Sequence, residues 1–208
     1  MRIQSPIEER YNVLTHSIGF VFSLVGFVLM LCFNQINTFW GMFSIVLYGC
    51  SLSLLYLVSS LYHHETDVTR KHFFRKLDHI SIYFLIAGTY SPVVLITLED
   101  SHGWILFCTV WGIALFGTFM KIFFTGRFEF LSVLLYLIMG WLIVFDFSAL
   151  QARTDAVGIN LLMGGGIAYT VGIVFYALDR FKYTHVIWHL FVLCGSILHF
   201  LFVFLKVI

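Results

Sequence analysis

Two histidines four residues apart, in His185-Val-Ile-Trp-His189, stand where a run of charges gives way to the last apolar segment of the chain. On a helix that spacing projects both imidazoles from one face, about one turn (~6 Å) apart, close enough to share a metal ion. A pair at this spacing also arises by chance, so its meaning depends on what other segments deliver to the same depth. In Ser59-Ser60-Leu61-Tyr62-His63-His64-Glu65, His63 lies one turn beyond Ser59 on a shared face, and His64 points about 100° away toward solvent. Leu77-Asp78-His79 supplies an acid that either caps a helix start or takes part in chemistry. Glu9, Asn12 and His16 share one helical face. There Glu9 suits a solvated helix start, while His16 belongs to an interhelical hydrogen bond or to a site. Three imidazoles plus a water make the ligand set of a catalytic zinc with an open position.

The elements that must position these groups follow from composition. Of 208 residues, 60% are hydrophobic and only 11% charged, and 24 Phe stand against 2 Pro. An ordinary soluble domain is excluded. A polytopic helical membrane protein with short loops is expected, because lipid-facing backbone groups must be satisfied inside helices. No basic tract with interleaved aromatics suggests nucleic acid. Cys32, Cys50, Cys108 and Cys194 stand singly in apolar runs, which reads as small buried core residues with no disulfide framework. No cleavable signal peptide is expected, since no small-x-small site follows the first apolar run.

Apolar runs of spanning length fall at about 13–33, 40–62, 79–98, 104–124, 128–148, 157–178 and 185–207, which makes one seven-helix integral membrane domain over 1–208. One side carries Arg2, Arg10, Arg70, Lys71, Arg75, Lys76, Lys121, Arg127, Arg180 and Lys182; the other carries only Arg153 and Lys206. By the positive-inside rule the N-terminus is cytoplasmic and the C-terminus outside. The basic stretch 65–77 reads as the anchor of that topology. Glu129 is expected to pair with Lys121 or Arg127 at the surface, and Asp146 to lie at the outer interface. Pro92 should kink the third helix and free a carbonyl near Gly88 for neighbouring hydroxyls. The glycines at 158, 164, 165, 166 and 172 predict close helix packing, not a phosphate loop, as no strand precedes them. His199 shares the face of His185 but lies roughly 20 Å along the axis, too far for the same ion, and is expected in an interhelical hydrogen bond.

The chain resembles the hemolysin III group of bacterial membrane proteins, within the superfamily that includes the progestin and adiponectin receptors. The residues carrying the resemblance are Glu9-x-x-Asn12-x-x-x-His16, Ser59-x-x-x-His63, Lys76-Leu77-Asp78 and His185-x-x-x-His189 followed by His199. The resemblance implies a seven-helix bundle holding zinc through His63, His185 and His189. It also implies that Asp78 contacts the zinc-bound water, that Ser59 lies beside the site, and that the activity is of the ceramidase type, on a membrane lipid. The chain lacks the long N-terminal region of the receptors, which leaves the metal site intact and argues against hormone signalling. Three functions are therefore expected in turn: a zinc-dependent hydrolase of a lipid amide or ester at the cytoplasmic leaflet of the bacterial inner membrane; a zinc-stabilised sensor of lipid homeostasis; or a cytolytic protein.

Overall fold

Ser5 and Glu8 open the first helix with a reciprocal pair of bonds: Glu8 Oε2 accepts from the Ser5 amide at 2.9 Å and Ser5 Oγ from the Glu8 amide at 3.3 Å. With Pro6 in the first turn, whose missing N–H costs nothing there, helix α1 runs Pro6–Phe33. It starts well before the apolar run, which places Glu9 and Asn12 on the helix proper. The computed structural model describes residues 4–124, 126–178 and 181–208. Arg2, Asp179 and Arg180 lie outside the described residues.

Helix α2 runs Phe39–His64, with Thr38 Oγ1 accepting from the Gly41 amide at 3.0 Å. Helix α3 runs Val68–Thr97 and is capped by Asp67, whose carboxylate accepts from the Arg70 amide at 2.9 Å. The stretch 65–77 is thus mostly helix rather than loop. Asp78 lies about three turns inside α3, and the cap reading of this residue is removed. Beyond Pro92 the α-helix widens into a π-turn over Val93–Thr97. Thr89 and Ser91 donate to the carbonyls of Leu85 and Ala87, in the turn just before Gly88, at 2.7 and 2.9 Å. The remaining helices are α4 Gly103–Phe124, α5 Glu129–Arg153 with a 3-10 turn at Leu142–Asp146, α6 Ala156–Ala177 and α7 Thr184–Lys206. No strand occurs among the described residues.

All seven helices are long and apolar enough to cross a membrane. They close into a ring in which each neighbour packs on the next, α1 meets α7, and α3 also touches α5. Helix α3 is the most enclosed and α6 the least. Tyr48, Tyr56 and Tyr83 fill the interior beside Met30 and Ile45. Close crossings are made by glycines: a Cβ at Gly88 would lie 2.5 Å from Ser51 Oγ, and one at Gly165 would lie 2.2 Å from the His199 ring. Seven passes put the chain termini on opposite faces.

One expectation is corrected and two are refined. All four cysteines are exposed and free. The rule that thiols go inside belongs to water-soluble proteins; here the outer surface is apolar too, and a small apolar side chain fits it equally well. Asp146 lies toward the outer end of α5, as expected, but its carboxylate is buried. It accepts from Ser101 Oγ at 2.8 Å and from the His102 amide at 3.0 Å, so it ties α5 to the start of α4. Glu129 does pair with Lys121, at 2.7 Å, but Lys121 is only 1% exposed and the pair is not a surface one. On the far face, Lys206 and the Gly158 amide hold the Asp155 carboxyl below its ordinary range. That cap of α6 is therefore charged at neutral pH, and its contribution is lost only as pH falls through the lowered value.

Candidate metal centre

Two helices bring three histidines to the face that carries the start of α1. His63 comes from the last turn of α2, and His185 and His189 from the first two turns of α7. Their ring centroids lie 5.2, 4.9 and 4.7 Å apart, and one ligand nitrogen from each falls within 4.8 Å of the others. His63 and His189 are buried. The Nε2 of His63 has no hydrogen-bond partner, a costly state for a buried imidazole unless a cation takes the lone pair. The donor set could hold one metal ion, and all-imidazole coordination suits zinc as well as iron, copper or nickel.

The start of α7 is set by an unusual backbone. Tyr183 adopts the left-handed region at φ 63, a strained conformation for a bulky residue. Its amide is held by Glu8 Oε1 at 2.7 Å, so α1 caps α7 from across the bundle. Next to it, Glu9 turns the other way. Its Oε2 lies 2.6 Å from His63 Nδ1 and its Oε1 accepts from Lys71 Nζ at 2.8 Å. Asn12 donates to Gln4 Oε1, and its Nδ2 stands 3.4 Å from the same His63 nitrogen. Thr15 Oγ1 stands 3.4 Å from His189 Nδ1. His16 makes no interhelical hydrogen bond among the described residues. Both its nitrogens are unpartnered, and its ring stacks on His189 at 3.6 Å.

A cavity of about 410 Å³ opens beside these rings, lined by His16, Ser59, Asp78, His185 and His189. The Ser59 hydroxyl faces the Asp78 carboxyl. Leu55, Ile82, Trp188 and Val192 form the floor of this cavity and the roof of a second, apolar one of about 90 Å³ that reaches Gly140, Gly166 and His199. All five residues expected at the site thus come to one end of the bundle. His64 is exposed, and His199 bonds the Leu162 carbonyl at 3.1 Å, away from the cluster.

Over residues 4–200 the chain matches the family described as Haemolysin-III related. The chain belongs to that family. It is 41% identical to Hemolysin-3 of Bacillus cereus over 194 residues, covering 93% of this chain and 89% of the relative. It is 42% identical to a Hemolysin-3 homolog of Bacillus subtilis over 190 residues, covering 91% and 89%. The human monocyte to macrophage differentiation factor is 28% identical over 205 residues, covering 93% and 82%. No solved structure matches significantly.

In this haemolysin-III-related chain, two partners of the cluster were not singled out from the sequence. In the sequence Lys71 is one of four basic residues in the stretch 65–77, and Thr15 stands between Asn12 and His16. The only available signal for Thr15 was its position one helical turn after Tyr11, on the flank of the Glu9 face.

Proposed function

We propose that the chain is a zinc-dependent hydrolase of a lipid amide or ester, working at the cytoplasmic leaflet of a bacterial inner membrane. The observation that carries the reading is the convergence of His63, His185 and His189 beside a cavity that Asp78 and Ser59 also line. Zinc bound there supplies Lewis acidity toward a carbonyl and lowers the pKa of a water to about 7. Asp78, free of any capping duty, accepts a proton from the attacking water as general base. The Ser59 hydroxyl faces that carboxyl. Once Asp78 is protonated, the hydroxyl is released to donate to the developing oxyanion. Trp188 and Ile82 part the cavity from the apolar extension beneath them, which suits an acyl chain. The cytoplasmic assignment rests on the ten Lys and Arg placed on the N-terminal face against two on the other.

A second reading is supported by the same geometry: an ion joining α2 to α7, with α1 bonded to both, would lock the bundle for a sensor without chemistry. Metal analysis of purified protein, with fatty-acid release from a broad lipid panel, tests the first reading. Wild type should carry one zinc per chain and release fatty acid. His63→Ala and His189→Ala should lose both. Zinc retained without release from any lipid in the panel removes the catalytic half and leaves the sensor.

A further inference from the structure

Glu9 and Lys71 have no place in the chemistry above, yet Glu9 makes the closest polar contact to a ring of the cluster. Glu9 sits in the first turn of α1, and its two carboxylate oxygens are used separately. One takes the Lys71 ammonium at 2.8 Å, and the other lies 2.6 Å from His63 Nδ1. Lys71 is held in turn by the Glu65 carbonyl at 3.2 Å. The chain Glu65–Lys71–Glu9–His63 therefore crosses from the α2–α3 connection to α1 and back to the last turn of α2. A carboxylate is an acceptor only, so the proton between Glu9 and His63 belongs on Nδ1 of the imidazole. That leaves Nε2 as the lone-pair nitrogen, and Nε2 is the buried atom without a partner.

Helix α1 treats His189 in a similar way. Thr15 Oγ1 gives its own proton to the Tyr11 or Asn12 carbonyl, at 2.9 and 3.0 Å. The oxygen is then an acceptor toward His189 Nδ1, at the longer distance of 3.4 Å. A helix that contributes no ligand thus decides which nitrogen two of the three histidines present.

We infer that Glu9, pinned by Lys71, is a positioning residue of the metal centre that holds His63 with Nδ1 protonated and Nε2 presented to the ion. The inference rests on the metal-centre reading and on no step of the hydrolysis. Carboxylates bonded to a ligand imidazole orient it and raise its basicity, and their removal costs about 10–100-fold in metal affinity. Glu8 is the natural control, since it docks the same turn of α1 through the backbone amide of Tyr183.

The test uses full-length protein in detergent, with zinc affinity read by competition against a chelating dye and the ligand field read from the visible spectrum of the cobalt-loaded form. Glu9→Gln should weaken zinc about tenfold and Glu9→Ala about a hundredfold, with a shifted cobalt spectrum in both. Glu8→Gln should stay within about twofold of wild type with an unchanged spectrum, whatever it does to thermal unfolding. Unaltered affinity in both Glu9 variants overturns the inference. So does an equal loss in Glu8→Gln, which would assign the effect to docking of the helix. Wild-type protein without zinc would remove the metal centre itself, whereas zinc bound equally by wild type and Glu9→Ala removes only the role given to Glu9.

Discussion

Asp78 separates the two readings of the cluster at the scale of one side chain. It lies well inside α3, so the free amides that would justify a capping acid are already met by Asp67. A carboxyl in that position, facing Ser59 and the cavity, suits the proton transfer proposed above. Asp78→Asn keeps the shape and a hydrogen-bonding group toward Ser59 but cannot accept a proton. Turnover of the lipid substrate should fall about a hundred- to ten-thousand-fold while zinc content stays at the wild-type level. Full cellular activity with zinc retained would instead make the ion structural. The histidines and this acid were legible in the sequence because their spacing repeats with the helical turn and all fall at the same depth. The partners of the histidines were not. Whether Glu9 meets His63 depends on how α1 is rotated against α2, and residues 54 positions apart carry no local trace of that rotation. Lys71 was hidden for another reason: among four basic residues in the stretch 65–77, nothing in the sequence distinguishes the one that turns inward.

Helices were legible from apolar length, and their ends were not. Caps are made by polar residues outside the apolar run, as at Ser5 and Asp67, so counting hydrophobic residues starts α1 and α3 too late. The glycines of α6 were read correctly as a packing face. Gly165 lies under the His199 ring, and that ring cannot retreat without giving up its 3.1 Å bond to the Leu162 carbonyl. Gly165→Ala should therefore cost about 1–3 kcal/mol of stability in detergent, read as a lowered unfolding midpoint. His199→Ala removes the obstacle as well as the bond. The double variant Gly165→Ala/His199→Ala should then be no less stable than His199→Ala alone, a non-additivity expected only of side chains in contact. Strictly additive losses would mean that Gly165 matters for some reason other than this crossing.

At the scale of the whole molecule, the exterior is apolar nearly all round, with Phe130 and Phe145 among its most exposed side chains. Among the described residues, every helix belongs to one of the seven spans. The features that distinguish this chain lie in its interior. There the polar cavity narrows onto an apolar one whose edge lies between α5 and α6, at Gly140 and Gly166. Gly140 is exposed, and a Cβ added to it would meet no atom within 4 Å. On the hydrolase reading proposed above, the missing side chain and the sparse packing of α5 on α6 offer a lateral route by which a lipid chain would reach Asp78 from within the membrane. Gly140→Leu should fold normally and obstruct that route. Release of long acyl chains should drop about tenfold relative to short ones, since a few methylenes decide fit in an apolar slot. Zinc content should be untouched, because residue 140 lies in the second cavity and does not line the cavity beside the cluster. An unchanged chain-length profile, in a protein that Asp78→Asn still inactivates, would mean that the substrate enters from the aqueous face through the opening near Lys71 and Arg75.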